Sequence, residues 1–349
     1  MQNVNSTCRW GVIGTANIAR KVIRAMHLAS NAVPAAVARR SLDRAQAFAM
    51  ETNIKQAYGS YAELLAAPDI DAVYIPLPTA VRKQVILDAA AAGKHVLSEK
   101  PVAVSTQAAQ EIIEACRQAQ VQFMDGVMFM HHHRLQCVLE RLGDIGTAPS
   151  MINSTFTFLA DDAFMHSNIR TSMDTEPLGC VGDIAWYNAR IALVVMNRMP
   201  TLVRARHHEL HEGVPIHTSG ELEFAGDHGP LVCHFQCSYR HPLRQWVEII
   251  GDRGSIWIHD FVHGNATEAI FEIHQDPTLK NTDTLVDESV ERIVVAHCVQ
   301  EAEMIQSFSR IAVGEVPLDP QWPRWTLDTQ RVIDAIMESA RQGGADVTI

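Results

Sequence analysis

The feature that most constrains the fold is the regular alternation of strand-like and helix-like segments in the first third of the chain. Short apolar runs alternate with alanine-rich segments of helical periodicity, which predicts a parallel sheet covered by helices on both faces. The predicted strands are Arg9–Ile13, Val33–Ala38, Ala72–Ile75, His95–Leu97 and Gln122–Asp125. The predicted helices are Ile18–Leu28, Leu42–Met50, Ala80–Ala92 and Thr106–Gln118.

Strand-like segments dominate beyond about residue 150, and many alternate apolar with polar residues, as an antiparallel sheet with one covered face does. Gly251–Gly254 has the composition of a tight hairpin turn. The predicted strands are Ser150–Leu159, Leu202–His208, Thr218–Phe224, Pro230–Tyr239, Gln245–Gly251 and Ser255–His259. Two helices, Val299–Val313 and Leu327–Gln342, are predicted to finish the chain, with Trp322 and Trp325 packing in the connection before the second.

These patterns predict an α/β domain followed by an α+β domain. Because 349 residues exceed the size at which a single core stops growing, two domains are expected. We predict a doubly wound parallel sheet over residues 1–128 and an open, mainly antiparallel sheet within residues 129–349.

The composition excludes several classes of protein. A formal net charge of −11 argues against nucleic acid or an anionic membrane as a partner. No apolar run reaches about 18 residues, so no membrane-spanning helix is expected. Residues 1–8 are polar and lack the apolar segment of a secretion signal. The seven cysteines are scattered without a C-x-x-C pair, which is typical of free thiols in a reducing compartment, so we expect a cytoplasmic protein.

A turn typical of dinucleotide-binding proteins follows the first predicted strand. Gly14 takes the first glycine position of the fingerprint, while Ala16 and Ala19 stand at the second and third. Glycine permits the sharp turn, and the small alanines let a pyrophosphate approach the helix amino terminus. Because two of the three glycines are replaced, an ordinary strand-to-helix turn is the alternative. The predicted cofactor contacts here are Gly14, Thr15, Ala16, Asn17 and Ile18.

The end of the second predicted strand bears on the choice of dinucleotide. NAD enzymes usually place Asp or Glu there to hold the ribose hydroxyl. Here Arg39, Arg40 and Ser41 follow the strand, and two guanidinium groups with a hydroxyl suit the 2′-phosphate of NADP. NAD stays the alternative, because Asp43 could hold an unmodified ribose and the arginines could belong to a solvated loop.

Glu99-Lys100-Pro101 directly follows a later predicted strand of the same sheet. A lysine at the carboxyl end of such a strand lies at the crevice where a nicotinamide would bind. This position predicts a catalytic ammonium group at Lys100 rather than a surface charge.

Several short motifs of this chain occur together in a known family. They are Gly14 with Ala16 and Ile18, the strand end Ile75–Thr79, Glu99-Lys100-Pro101, Phe123–Gly126 and the segment Gly179–Tyr187. In this combination they resemble the Gfo/Idh/MocA oxidoreductases, in the branch with dimeric dihydrodiol dehydrogenase, NADP-dependent xylose dehydrogenase and glucose–fructose oxidoreductase. The resemblance implies a Rossmann domain and a substrate-binding domain whose open sheet joins the subunits of a homodimer or homotetramer. It also implies cofactor contacts at Pro76, Leu77, Pro78, Thr79, Glu99 and Lys100.

The same resemblance implies roles for an Asp-x-x-x-Tyr pair. Asp183 and Tyr187 are four residues apart and would project from one face of a helix, although such pairs are common on ordinary helices. A tyrosine pKa of about 10 makes a poor base near neutrality, but a nearby ammonium group favours the phenolate. We therefore predict that Tyr187 is the acid/base, that Lys100 is the cation assisting it, and that Asp183 orients substrate hydroxyls or holds Lys100.

Three further positions bear on the substrate. The family commonly has a histidine where this chain has Arg82, which either reaches an anionic group or is a solvated helix residue. We favour the solvated residue. In the resembled family, the segment containing His131 and Arg134 leads into the substrate cleft, so substrate contacts are predicted there.

No metal site is predicted. His131, His132 and His133 follow a strand predicted for Asp125–Met130, where consecutive side chains point to opposite faces and cannot readily share one ion. No Asp, Glu or Cys nearby completes a ligand set. The cluster His207–Glu212 lacks H-E-x-x-H spacing and is interpreted as a solvated loop.

The predicted function is an NADP-dependent dehydrogenase or reductase, with NAD possible, acting on a CH–OH group of a small sugar, polyol or vicinal diol. The alternative is a nonenzymatic NADP-binding regulator, because this fold also serves as a cofactor sensor. A weaker third possibility is a redox-assisted glycosidase with permanently bound NAD. The set Lys100, Asp183 and Tyr187 favours an enzyme, since a sensor needs no proton-transfer group.

Overall fold

The computed structural model describes residues 7–227, 229–263, 268–275, 289–296 and 298–349. Most of the polar amino terminus considered above, residues 1–6, therefore lies outside the described residues. The chain forms two compact units. The first runs to His131 and also includes Cys298–Gln330, while the second takes the intervening segment and Arg331–Ile349. The boundary predicted at residue 128 does not include Cys298–Gln330, the segment that returns to the first unit.

The first unit contains a parallel sheet. Its strands are β1 (Cys8–Ile13), β2 (Ala32–Ala38), β3 (Gln56–Tyr58), β4 (Ala72–Ile75), β5 (His95–Ser98) and β6 (Phe123–Asp125). Among the described residues they are ordered β3-β2-β1-β4-β5-β6, and every neighbouring pair is parallel. The order reverses between β1 and β4, which opens a crevice at the carboxyl ends of these two strands. The predicted doubly wound sheet is confirmed, with the short strand β3 in addition.

Five of the described helices cover this sheet, and a side chain caps the amino terminus of two of them. They are α1 (Asn17–Leu28), α2 (Leu42–Thr52), α3 (Tyr61–Ala66), α4 (Thr79–Ala91) and α5 (Thr106–Gln118). α1 buries Ala19, Val22 and Met26, an apolar stripe at helical spacing that packs on the sheet. Ser60 and Ser105 cap α3 and α5 by accepting hydrogen bonds from backbone N–H groups of the first turn.

The predicted continuation of β6 to Met130 is wrong. β6 pairs with β5 only over Phe123–Asp125, and β5 ends at Ser98, so the chain loses its ladder partner there. Met128–His131 forms a short 3₁₀ turn instead. The alternation of side chains along a strand is therefore not a reason against a metal at His131, His132 and His133, because these residues do not lie in a strand.

The second unit is built on a larger sheet. Its described elements up to the return of the chain are α6 (His133–Glu140), β7 (Met151–Leu159), α7 (Asp162–Ser167), α8 (Trp186–Met196), β8 (Leu202–His211), β9 (Val214–Phe224), β10 (Leu231–Ser238), β11 (Arg240–Ile250), β12 (Gly254–Ile258), β13 (Ala269–Gln275) and β14 (Ser289–Val295). The chain then forms α9 (Gln300–Ala312) in the first unit, followed by α10 (Gln321–Arg341) and β15 (Val347–Thr348). The strand order is β14-β13-β12-β11-β7-β10-β9-β8-β15. Only β7 and β10 pair in parallel among these described neighbours, so the predicted mainly antiparallel sheet is confirmed.

One face of this sheet is covered. β7 buries Ile152, Ser154 and Phe156, which alternate along the strand, and α8 packs against β7 and β10. The interpretation of His207–Glu212 as a solvated loop is wrong, because residues up to His211 belong to β8 and pair with β9. Strand alternation turns the half-buried His207 inward, where its Nδ1 lies 2.8 Å from the hydroxyl oxygen of Thr218.

The last long helix begins earlier than predicted. Trp322 and Trp325 lie in the first turns of α10 rather than in a connection, with Pro323 as its third residue. Proline is tolerated there because the N–H groups of a first helical turn have no intrahelical acceptor. None of the helices in the described part of the chain is long and apolar enough to cross a membrane.

α9 belongs to the first unit and packs on α1 and β1. The indole of Trp10 is fully buried, its centroid lies 5.1 Å from the Phe308 ring, and its N–H donates to the Ser309 hydroxyl at 3.0 Å. Lys21 pairs with the buried Glu301 at 2.5 Å. A helix that begins at Gln300, long after the last strand of the sheet ends at Asp125, is thus part of its core.

Replacing Ser309 with alanine leaves the buried Trp10 N–H without its acceptor. We expect Ser309→Ala to lower the free energy of unfolding by about 1–3 kcal/mol, measured by urea denaturation. Ser307→Ala, at an exposed position of the same helix, is the control and should change it by less than about 0.5 kcal/mol. Equal effects of the two substitutions would contradict the role given to this hydrogen bond.

Candidate active site

The turn after β1 requires the glycine that the sequence places there. Gly14 has a φ of +103°, which side chains rarely adopt. Its N–H donates to the carbonyl of Ala38, at the end of β2, over 2.9 Å. A Cβ atom would lie 2.9 Å from Leu77 Cδ2, so a side chain would collide with the loop that follows β4.

The amino terminus of α1 faces no capping side chain of its own. Ala16 is the N-cap, no side chain accepts from the first-turn N–H groups, and the turn holds no acidic residue. Thr15, Ala16 and Ile18 are half-buried, and Asn17 is exposed. Uncapped N–H groups and the helix dipole attract an anion, so this turn fits the pyrophosphate of a dinucleotide.

Arg39, Arg40 and Ser41 form the loop between β2 and α2. Arg39 is half-buried, and its N–H donates to the carbonyl of Tyr58 in β3, whereas Arg40 is exposed. Ser41 is the N-cap of α2 but its side chain makes no capping hydrogen bond. Both arginines therefore lie at the carboxyl end of β2, next to the glycine turn in the sheet, and Asp43 lies in the first turn of α2.

The loops after β4 and β5 lie at neighbouring carboxyl ends of the sheet. The hydroxyl of Thr79 donates to the carbonyl of Pro101 at 3.3 Å and so links the two loops. The Glu99 carboxylate accepts from the Tyr74 hydroxyl at 2.6 Å and from the Lys100 N–H at 3.3 Å. Glu99 is buried, and Lys100, which the same loop carries, is half-buried.

Arg82 is not the solvated residue that the sequence suggested. Its side chain is buried, and the residue is only 2% exposed. The guanidinium donates to the carbonyl of Leu77 at 2.8 Å and to that of Glu99 at 2.7 Å, and it also donates to the carbonyl of Pro101. Arg82 therefore holds both backbone neighbours of Lys100 and ties them to the loop after β4.

The segment Gly179–Met196 of the second unit carries the Asp-x-x-x-Tyr pair. Gly179 has a φ of +50°, and a Cβ there would lie 2.1 Å from the carbonyl oxygen of Pro215, so only glycine fits. Val181–Ala185 is a π-helical turn that continues into α8. The simple α-helical face predicted for Asp183 and Tyr187 is therefore modified by a wider turn, a feature that is frequent at functional sites.

Asp183 is held by two residues that the sequence reasoning missed. Its Oδ2 atom lies 3.1 Å from the Nε of Arg170 and accepts a hydrogen bond of 3.1 Å from the Tyr239 hydroxyl. Burial and the charge of Asp183 raise the pKa of Tyr239 well above its usual value, so this hydroxyl remains a donor. Asp183 likewise raises the pKa of Arg170. Neither residue belongs to a motif, and Tyr239 lies 56 residues from Asp183 in the chain.

Tyr187 is half-buried at the start of α8. Its ring meets Phe156 of β7 edge to face, with centroids 5.4 Å apart. Phe156 in turn meets His263 edge to face at 6.1 Å. Aromatic contact with a strand of the sheet fixes the direction of the tyrosine ring.

The other predicted substrate residues have structural contacts. Arg134 is 3% exposed, and its guanidinium donates to the Asp260 carboxylate at 2.5 Å and to the Ile270 carbonyl at 3.2 Å. His131 stacks on Trp322 with ring centroids 4.6 Å apart. These contacts give both residues a packing role, and a substrate contact at either one stays a prediction.

Metal ligands do not cluster in the described part of the chain. No group of three His, Cys, Asp or Glu residues there has the arrangement of a metal site.

Comparison with known proteins places both halves of the chain in one family. The model of an oxidoreductase family with an NAD-binding Rossmann fold, Gfo/Idh/MocA, matches residues 8–127, and the model of the Gfo/Idh/MocA C-terminal domain matches residues 140–257. An uncharacterized oxidoreductase of Rhizobium meliloti is 33% identical over 341 residues, which are 96% of this chain and 97% of that relative.

Two further comparisons involve proteins of stated activity. A D-xylose 1-dehydrogenase (NADP(+)) of Haloferax volcanii is 30% identical over 96% of this chain and 98% of its own length. A tyrosine-to-phenylalanine variant of KijD10, a 3-ketoreductase from Actinomadura kijaniata in complex with TDP-benzene and NADP, has a TM-score of 0.84 at 25% identity, covering 96% of this chain and 98% of that one. With its glycine turn, its crevice and both matched domains, the chain belongs to the Gfo/Idh/MocA family of NAD(P)-binding oxidoreductases.

Proposed function

We propose that this oxidoreductase is an NADP-dependent dehydrogenase or reductase that transfers a hydride between the nicotinamide and a CH–OH group of a sugar, polyol or vicinal diol. The family sets the reaction class, and relatives that are a D-xylose dehydrogenase and a 3-ketoreductase support the substrate class. The observation that carries the proposal is the Asp183 carboxylate, held at 3.1 Å by Arg170 and by Tyr239 and followed four residues later by Tyr187.

The residues of the second unit position the substrate and move its proton. With two donors fixing one oxygen, the Asp183 carboxylate has a set orientation and accepts a hydrogen bond from a substrate hydroxyl. The phenolic oxygen of Tyr187 exchanges the proton of the reacting hydroxyl. We keep Lys100 in the role predicted from the sequence, that of the cation which assists Tyr187 in this reaction.

The first unit holds the cofactor, and the bound nicotinamide supplies hydride transfer. The residues proposed for this task are Gly14, Thr15, Ala16, Asn17 and Ile18, the loop Pro76–Thr79, and Glu99 with Lys100. Gly14 supports this assignment because its turn leaves no room for a side chain, and α1 supports it because its amino terminus is uncapped.

A preference for NADP follows from the loop after β2. The exposed Arg40 and the half-buried Arg39 offer two forked donors to a 2′-phosphate, and the Ser41 hydroxyl is not used as a helix cap. The homodimer or homotetramer expected through the sheet of the second unit and the cytoplasmic location remain predictions.

Removal of the Tyr187 hydroxyl takes away the proposed acid/base, which accepts the substrate's proton when the substrate is oxidised. We expect Tyr187→Phe to bind NADPH normally and to lose turnover by about 10²- to 10⁴-fold, measured as NADP⁺ reduction over a panel of aldoses, polyols and trans-diols. Tyr61→Phe, in helix α3, is the control and should behave like the wild type. Near-normal turnover of Tyr187→Phe would remove this residue from the mechanism.

Substitution of Arg40 tests the choice of dinucleotide. Arg40→Ala should reduce the NADPH/NADH affinity ratio by about tenfold or more, because a charge-assisted pair with the 2′-phosphate is lost. Fluorescence titration with the two cofactors measures the ratio, and Arg44→Ala, an exposed arginine in the same helix start, is the control. An unchanged ratio would contradict NADP selection by this loop.

Substitution of Arg82 tests its support of Lys100. Arg82→Met leaves the buried carbonyls of Glu99 and Pro101 without this donor, so the backbone on both sides of Lys100 is free to shift. We expect kcat to fall by about 10²-fold and the NADPH Kd to change much less, with partial recovery in Arg82→Lys. Lys83→Gln, at the next helix position, which is half-buried and pairs with Glu111, is the control. A loss of thermal stability with unchanged kcat would assign Arg82 a purely structural role.

A further inference from the structure

We propose that Arg170 recognises a carboxylate or phosphate group on the substrate, so that the sugar or diol oxidised or reduced at this site is an acidic one. This inference rests on the proposed function and adds the chemical class of its substrate. Three observations support it. Arg170 is anchored through its Nε, its terminal nitrogens are accessible to solvent, and Arg82 and Arg134 are both buried.

Arg170 is anchored by one edge only. Its Nε lies 3.1 Å from Asp183 Oδ2, which anchors the guanidinium through this nitrogen. Within the described residues, the salt bridge of its side chain is the one to Asp183, and the charge of Glu176 also acts on the guanidinium, because it raises the pKa of Arg170 together with Asp183. The terminal nitrogens are therefore available as donors, and the side chain is 44% exposed, so a ligand in solution can reach them.

The chemistry of the available edge selects an oxyanion. Two parallel N–H groups on a planar cation match the two oxygens of a carboxylate or phosphate. The Asp183 and Glu176 carboxylates both repel an incoming anion, and the positive charge of the guanidinium offsets part of this repulsion. Asp183 lies on the Nε side, and it already accepts a hydrogen bond from Tyr239. An anion that approaches the terminal nitrogens has the guanidinium between itself and Asp183.

The two other arginines considered for the substrate, Arg82 and Arg134, do not offer such an edge. Arg82, the position that the sequence singled out for an anionic group, is 2% exposed and donates to backbone carbonyls. Arg134 is 3% exposed and paired with Asp260. Arg170 combines exposure with a direct tie to Asp183, the residue that we place against substrate hydroxyls. It would thereby fix an acidic substrate relative to Tyr187, which follows Asp183 in the same helical segment.

The test compares matched neutral and acidic substrates. The panel is D-glucose and D-galactose with their uronates and 6-phosphates, and kcat/KM for NADP⁺ reduction is measured for the wild type, Arg170→Gln, Arg170→Lys and Tyr239→Phe. Arg244→Gln, an exposed arginine of β11, controls for the general loss of positive charge.

We expect the wild type to prefer an acidic member over its neutral counterpart by about 10- to 100-fold, and Arg170→Gln to abolish that preference. Arg170→Lys should keep part of it, because a lysine offers charge without the fork. Tyr239→Phe should lower kcat/KM for the acidic and the neutral substrate by the same factor, since it removes only a donor to Asp183. Preference for uronates over phosphates, or the reverse, names the oxyanion.

Two results would overturn the inference. One is a wild type that uses neutral sugars at least as well as acidic ones, and the other is an Arg170→Gln variant in which kcat/KM falls equally for neutral and acidic sugars. If no panel member is turned over, the proposed function is in question, and calorimetric titration of the NADPH-loaded protein with the uronates decides the inference separately. Uronate binding that is lost in Arg170→Gln supports it, and no binding to the wild type rejects it.

Discussion

The parallel pairing of β1 with β2 on one side and with β4 on the other is the constraint on which the rest of the first unit depends. It brings the carboxyl ends of three strands to one edge, so the glycine turn, the arginine loop and the loop before α4 meet there. Gly14 illustrates the consequence, because its N–H bonds to the end of β2 while its missing side chain makes room for Leu77 after β4.

Arg82, Arg134 and Arg170 differ in the groups that accept hydrogen bonds from their guanidinium donors. A buried guanidinium needs partners for its donors, and Arg82 finds them in backbone carbonyls while Arg134 finds them in Asp260 and Ile270. These two arginines stabilise loops and strands. Arg170 is different, because it is half exposed and shares only one edge with Asp183. Exposure and partners, rather than residue type, therefore separate a structural arginine from one available to a ligand.

The elements that sequence patterns predicted well are those with strong local signals. The glycine turn, the alternating strands and the hairpin at Gly251–Gly254 are confirmed, because backbone conformation and the periodicity of burial are set locally. The failures share another cause. His207–His211 is a strand because β9 pairs with it, and Met128–His131 is a 3₁₀ turn because β5 ends too early to pair. A local sequence pattern does not show whether a distant segment of the chain will pair with the strand.

The sequence by itself determined the class of fold, the family, and the positions of Lys100 after β5 and Tyr187 in α8, because these features belong to short motifs with a local physical reason. The π-helical turn that contains Asp183 was not predicted. Only the tertiary structure decided the surroundings of those residues. It turned Arg82 inward to the carbonyls beside Lys100 and brought Arg170 and Tyr239 to Asp183. Such contacts join separate elements of the chain, and they form only when the packing of the whole unit brings those elements together.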